Sequence, residues 1–264
     1  MPGRVRSCAN CSALFAVLLL ANVKVLTAQS EEPKPKWSLI VLTTVKPEMR
    51  AEYESWQKEI SAAYKKAEIP SRAVLQTLMG NLMEYVSVSP LSKFGDMDGM
   101  SPVERALGKE AAAALMRKGG MYITSAHRVA ALDLEDLTIR APVSEPAPYA
   151  MVTTLHVIPG KGPEFAALMK DEYTPAMKKA EVKNFWVSQT VFGGDPNERV
   201  TVRPMQTMSE IDAGPLTRKA LGAEGSRKLM SRTAGIVDSV QYRIVRYRSE
   251  LSYRLEPPVK SASK

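Results

Sequence analysis

Two stretches of this chain repeat each other in order. Val45-Lys-Pro47 followed by Glu52-Tyr53 returns as Val157-Ile-Pro159 followed by Glu164-Phe165, and Lys65-Lys-Ala-Glu-Ile69 returns as Lys178-Lys-Ala-Glu-Val182. Val74-Leu-Gln-Thr-Leu-Met-Gly80 matches Val187-Ser-Gln-Thr-Val-Phe-Gly193, Val86-Ser-Val-Ser-Pro90 matches Val200-Thr-Val-Arg-Pro204, and Ala106-Leu-Gly-Lys-Glu110 matches Ala220-Leu-Gly-Ala-Glu224. The shift is 112 positions at Val45/Val157 and 114 at Asp98/Asp212, so one residue is gained near Pro175 and one in the turn Gly193–Asn197. A near-constant shift across ordered words points to duplication of one supersecondary unit, which bounds the fold more tightly than any single motif. The expected units are 37–139 and 149–253, joined by the Pro-rich stretch 140–148 and followed by a disordered tail, 254–264.

Each unit reads β-α-β-β-α-β. In the first, β-branched and apolar residues from Leu39 to Val45 signal a strand. A helix opening at Pro47 then sets Met49, Tyr53, Trp56, Ile60, Ala63 and Ala67 on one face. Strands follow over Ala73–Met79 and Glu84–Ser89, the second ended by Pro90. Ser101-Pro-Val-Glu104 is a capping box, and the helix it opens carries Leu107, Ala111, Ala114 and Leu115 to Gly119-Gly120. His127 to Leu134 completes the unit. In the second unit the same elements fall at 150–157, 163 onward, 185–192, 199–203, 215–232 and 239–248, with Pro175 interrupting the first helix. Six elements in this order give a ferredoxin-like antiparallel sheet with helices on one face. Each bare face needs cover, and the other unit supplies it. The expected fold is therefore α+β: two tandem ferredoxin-like repeats whose sheets pack as an intramolecular pseudo-dimeric α/β barrel with a lumen.

The first segment has the layout of a secretory signal peptide. Arg4 and Arg6 precede an uncharged run, Cys11–Val23, and small residues follow at Thr27-Ala28. Cleavage after Ala28 is the expectation, leaving 29–36 as a flexible lead. The segment holds both cysteines and three basic residues (Arg4, Arg6, Lys24), so 36 Lys+Arg falls to 33 against 28 Asp+Glu. An exported product without cysteine relies on its own core rather than on disulfides. Export also makes nucleic acid an unexpected partner, and no stable membrane insertion is expected after cleavage. A homo-oligomer or a protein partner is compatible with this reading.

The strand running into Val157-Ile-Pro-Gly-Lys-Gly-Pro-Glu-Phe165, with the element order of both units, resembles the dimeric α/β-barrel superfamily, in particular its antibiotic-biosynthesis-monooxygenase-like and NIPSNAP-like members. The resemblance covers 37–139 and 149–253. It implies the barrel. For function it implies several classes, because the superfamily includes cofactor-free oxygenases, haem-handling proteins, isomerases and members without known activity.

The residues with chemistry to offer are few. His156 stands where the first unit has Thr44, and beside a lumen it is a candidate general base or haem ligand, although a hydrogen-bonded strand histidine is the plainer reading. Trp186 and Asn184 supply residue types that oxygenase relatives use, and an aromatic core residue is the plainer reading of Trp186. His127 reads as a surface residue. Gln76 and Gln189 recur in both units and must satisfy their amides, across the interface between units or in the lumen. On the third strands Val86 and Val88, like Val200 and Val202, form an apolar row. The other row, Tyr85, Ser87 and Ser89 against Arg199, Thr201 and Arg203, either faces solvent or makes the cavity polar. With Arg243, Arg246 and Arg248 it points to a small, partly apolar or anionic ligand. Phe94–Gly99 lacks the twelfth-position glutamate of a calcium loop, and Cys/His zinc spacing, a phosphate loop and a Gly-x-Ser-x-Gly elbow are all missing from the sequence. The functional expectation is an exported, non-catalytic binding or scaffold protein without cofactor. The alternative, carried by the resemblance, is a cofactor-free monooxygenase or haem-handling enzyme working in the lumen with His156 and Trp186.

Overall fold

Alternation of apolar residues builds nine strands, and together they form a ring with a short appendage. The structure is a computed structural model that describes residues 35–142 and 145–255; the expected signal peptide, and the tail beyond Leu255, lie outside the described residues. The strands are β1 (Trp37–Val45), β2 (Ser71–Met79), β3 (Glu84–Leu91), β4 (Ile123–Asp133), β5 (Tyr149–Val157), β6 (Trp186–Phe192), β7 (Glu198–Met205), β8 (Val237–Tyr247) and β9 (Tyr253–Arg254). The helices are α1 (Arg50–Lys66), α2 (Pro102–Leu107), α3 (Lys109–Gly120), α4 (Gly162–Leu168), α5 (Thr174–Lys179), α6 (Ser209–Asp212) and α7 (Leu216–Thr233).

Antiparallel ladders run β3-β1-β4-β6-β7-β5-β8-β2, and β2 pairs back to β3, closing an eight-stranded barrel. Closure leaves no free sheet edge along the paired lengths. Within 37–133 the order is β4-β1-β3-β2, and within 149–247 it is β8-β5-β7-β6. Two ladders join these halves: Ala131, Leu132 and Asp133 on Thr190, Gln189 and Ser188, and Leu75, Gln76 and Thr77 on Tyr247, Arg246 and Val245. The two residues of β9 extend β2 at Ser71 and Arg72, so the segment expected as a tail begins in a strand.

Helices cover the outside. Tyr53, Trp56, Ile60 and Ala63 of α1 are buried on Val45, Val74 and Tyr85 of the first sheet, with Ala112 and Leu115 of α3 alongside. Removing side chains of this size from water stabilises by about 1.5–3 kcal/mol each. On the second sheet Phe165 and Met169 cover Val157, Val187 and Val237.

Several details differ from the sequence reading. Leu107, Ala111 and Ala114 are exposed, whereas Ala106, Ala112 and Leu115 are buried. Gly108, at φ 82° and ψ 162°, breaks the helix between α2 and α3 and rotates the buried face, and α7 is broken in the same way at Gly222 (φ 73°, ψ 177°). Pro90 lies inside β3 opposite Ser38, beyond the part of β3 that pairs with β2, where a missing N–H costs no ladder bond on that side. The residue inserted near Pro175 is taken up by a π-helical turn, Met169–Tyr173, between α4 and α5. Strand side chains alternate between the two faces, so the register fixes which row looks inward. Val86, Val88, Val200 and Val202 face the lumen. Tyr85 and Arg199 sit on the outer, helix-bearing face and are buried, so this row neither faces solvent nor makes the lumen polar.

Candidate functional site: the barrel lumen

The inner face carries apolar rows and two polar clusters, Thr77, Glu84 and Arg243 at one place and Ser38, Asp133 and Ser188 at another. Ile40, Leu42, Val86 and Val88 line it in the first half, and Val152, Val200 and Val202 in the second; most are half-buried rather than sealed. Arg243, Val152, Val202 and Trp186 stand side by side across β8, β5, β7 and β6. The matching row across β4, β1, β3 and β2 is Val129, Ile40, Val88 and Ala73. A cation and an indole thus stand on one side of the lumen only.

Arg243 Nη1 donates to Glu84 Oε1 at 2.7 Å, and Thr77 Oγ1 donates to the same oxygen at 3.1 Å. Both charged side chains are largely buried, at 19% and 16% exposed. Arg243 Nε is buried with no hydrogen-bond partner among the described residues. An orphaned donor of this kind costs about 1–3 kcal/mol. Nε is closed to solvent, so an acceptor oxygen in the lumen would meet this guanidinium through its terminal nitrogens.

His156 belongs to the rim of the same face, opposite Glu198 and Ser239. Its Nδ1 lies 2.7 Å from Asp238 Oδ1 and its Nε2 2.8 Å from Asp195 Oδ2. The hydrogen bonds to Asp238 and then Asp195 raise the imidazole above its ordinary pKa. The Asp195 carboxyl is lowered, first by the Asn197 backbone N–H and also by His156. Two carboxylates on opposite ring nitrogens cannot converge with the imidazole on one ion, and among the described residues no group of three or more His, Cys, Asp or Glu side chains is placed to hold a metal. Along β7 the positions facing His156 and Trp186 are four residues apart, about 13 Å, so these two candidates do not meet. Both His156 nitrogens are committed to carboxylates, so this side chain as placed offers no free nitrogen to a haem iron, while His127 stands exposed on the inward row of β4 opposite Leu42.

The other sequence candidates lie on the outer face. Tyr85 and Gln76 come together there. Tyr85 donates its hydroxyl proton to Glu54 Oε1 at 2.5 Å, and Gln76 Oε1 accepts from Arg248 Nη1 at 2.9 Å. Burial, followed by Glu54, raises the Tyr85 phenol. Gln76 therefore does bridge the halves, because Arg248 follows β8 while Glu54 lies on α1. Gln189 and Arg199 both donate to the carbonyl of Pro196, at 3.0 and 2.8 Å, and brace the β6–β7 turn. Arg203 pairs with Glu210 at 3.0 Å. Asn184 accepts from the Ala141 N–H at 3.0 Å. Sequence reasoning grouped Arg243 with Arg246 and Arg248 and so missed its separate role. Period-2 alternation along β8 already put Arg243 on the opposite face from Arg246.

No family model matches the chain, and no curated relative does. Among solved structures, an anthrone oxidase-like protein superposes with a TM-score of 0.60 at 12% identity, covering 88% of this chain and 98% of that one. The putative monooxygenase of Lactobacillus acidophilus NCFM gives 0.57 at 13% identity, covering 84% and 100%. A putative chlorite dismutase gives 0.51 at 12% identity, covering 82% and 96%. The architecture is that of the dimeric α/β-barrel proteins, and at these identities the likeness carries the fold alone.

Proposed function

We propose that this protein is a non-catalytic binding protein whose lumen takes up a small, flat, largely apolar molecule bearing a carboxylate or similar acceptor oxygen. The observation that carries the reading is Arg243, its Nε buried without a partner among the described residues, on the same inward row as Trp186 and beside the valine rows of the lining. The oxygen would pair with the terminal nitrogens of this guanidinium and the apolar body would cover the valine rows. Calorimetry with 1-naphthoate and with uncharged 1-methylnaphthalene tests this. The carboxylate is expected to bind at least about tenfold more tightly, and Arg243→Met to erase that preference. Equal binding of the two, or none, contradicts it.

A second reading, cofactor-free oxygenation, is favoured by one observation: the fold is shared with an anthrone oxidase-like protein and a putative monooxygenase, and Trp186 lines the lumen. Oxygen uptake with an anthrone, lost in Trp186→Ala, would support it and displace the binding reading.

The same proposal includes origin and location. The two halves are read as tandem ferredoxin-like repeats. In support, helix breaks recur at Gly108 and Gly222, left-handed residues follow the first helices at Glu68 and Glu181, and the strand order is alike in both. Export with removal of residues 1–28 is read from the sequence, and amino-terminal sequencing of the product is expected to begin at Gln29. No described helix is long and apolar enough to cross a membrane.

A further inference from the structure

Chemistry is also gathered outside the lumen. On the outer face a polar pocket of about 450 Å³ opens where the halves meet, with Arg50, Glu54 and Gln76 on one side and Arg246, Arg248 and Glu250 on the other. Its charges are unevenly committed. Glu54 is neutralised: Arg248 reaches its two oxygens at 2.7 and 2.9 Å, and Tyr85 donates to one of them. Arg248 also holds Glu250 at 2.6 Å. The remaining two guanidiniums have no carboxylate within ion-pair distance among the described residues, yet both are held in position. Arg50 donates from Nε to the Tyr85 hydroxyl and from Nη2 to the Leu82 carbonyl, each at 3.2 Å. Arg246 stacks over the Tyr149 ring at 5.8 Å.

We propose that this pocket is a second binding site, for a small polar oxyanion, a carboxylate or phosphate, held by Arg50 and Arg246. Guanidinium forks match the paired oxygens of such groups, and forks already held lose little freedom on binding. The pocket is polar where the valine rows of the lumen are apolar, so the two sites differ in the body of the anion they take and not in its charge. An oxyanion seated there would join α1 of the first half to β8 of the second.

Titration calorimetry of the full chain at low salt, with inorganic phosphate and with succinate as probes, tests the site. Saturable uptake of at least one probe is expected. Arg246→Gln, a change at an exposed side chain, weakens it by about tenfold or more, and Trp186→Ala leaves it unchanged. In the unsubstituted protein the side-chain Nε resonances of Arg50 and Arg246 shift together as the probe is added. Absence of saturable uptake, uptake indifferent to Arg246→Gln, or shifts confined to other arginines would overturn the proposal.

Discussion

Gly119 shows how far one hydrogen atom can decide local packing. A Cβ at this position would overlap the indole of Trp56, whose Nε1 donates to the Leu115 carbonyl at 2.8 Å and so cannot swing away without losing that bond. Gly119→Ala is expected to destabilise by about 1–3 kcal/mol, measured by urea unfolding, with the strand spectrum unchanged. His156 sets a second residue-scale expectation. Its pKa is raised in the fold, so the tie it makes between the β6–β7 turn and β8 is complete below the ordinary histidine range and is lost as pH rises through the raised value. Asp195 is lowered, so its share is lost only as pH falls through the lowered carboxylate value. Amide exchange in Gly193–Asn197 should therefore accelerate, beyond its intrinsic pH dependence, as pH rises through and above the ordinary histidine range, and His156→Phe should remove that excess. A constant protection factor across this range would refute the assignment. The sequence marked His156 as the histidine to examine, but its partners come from a turn and from another strand, and spacing carries no information about such distant pairs.

Secondary elements were legible wherever periodicity ran unbroken. Tyr53, Trp56, Ile60 and Ala63 fall on one face of α1 as the 3.6-residue period requires. The second helix of the first half was misread because a continuous period was carried through Gly108, whereas that of the second half was placed correctly at 215–232 with its break at Gly222 unforeseen. At φ 82° and ψ 162° the backbone at Gly108 lies in a region nearly closed to residues with a Cβ, as it does at Gly222. Nothing lies within 4 Å of a Cβ built at either glycine, so the cost of alanine is conformational and not steric. Gly108→Ala and Gly222→Ala are each expected to lose about 1–3 kcal/mol by thermal unfolding, in similar amounts. Loss at only one of them would mean that the two breaks are unlike. Pro175 was legible as an interruption; the form it takes, a π-helical turn just before α5, was not.

At the scale of the molecule, closure depends on two ladders between halves and not on the segment 140–148. Chains 35–142 and 145–255 expressed together should assemble one to one by native mass spectrometry, because each alone leaves an apolar inner face open to water. Recovery of either half as a stable monomer would contradict this. The barrel was legible in the sequence because bare apolar faces demand cover. The Arg243 corner was not, because Glu84 and Arg243 are 159 residues apart and meet only when the ring closes. That corner, with Trp186, is the center of the functional account, and methyl and indole NMR with bound 1-naphthoate tests it most directly. The account predicts intermolecular contacts from the naphthalene ring to Trp186 and to the methyls of Val152 and Val202, with the Arg243 guanidinium N–H shifted by the carboxylate. Contacts confined to the outer face, with the inner-row methyls unmoved, would contradict it.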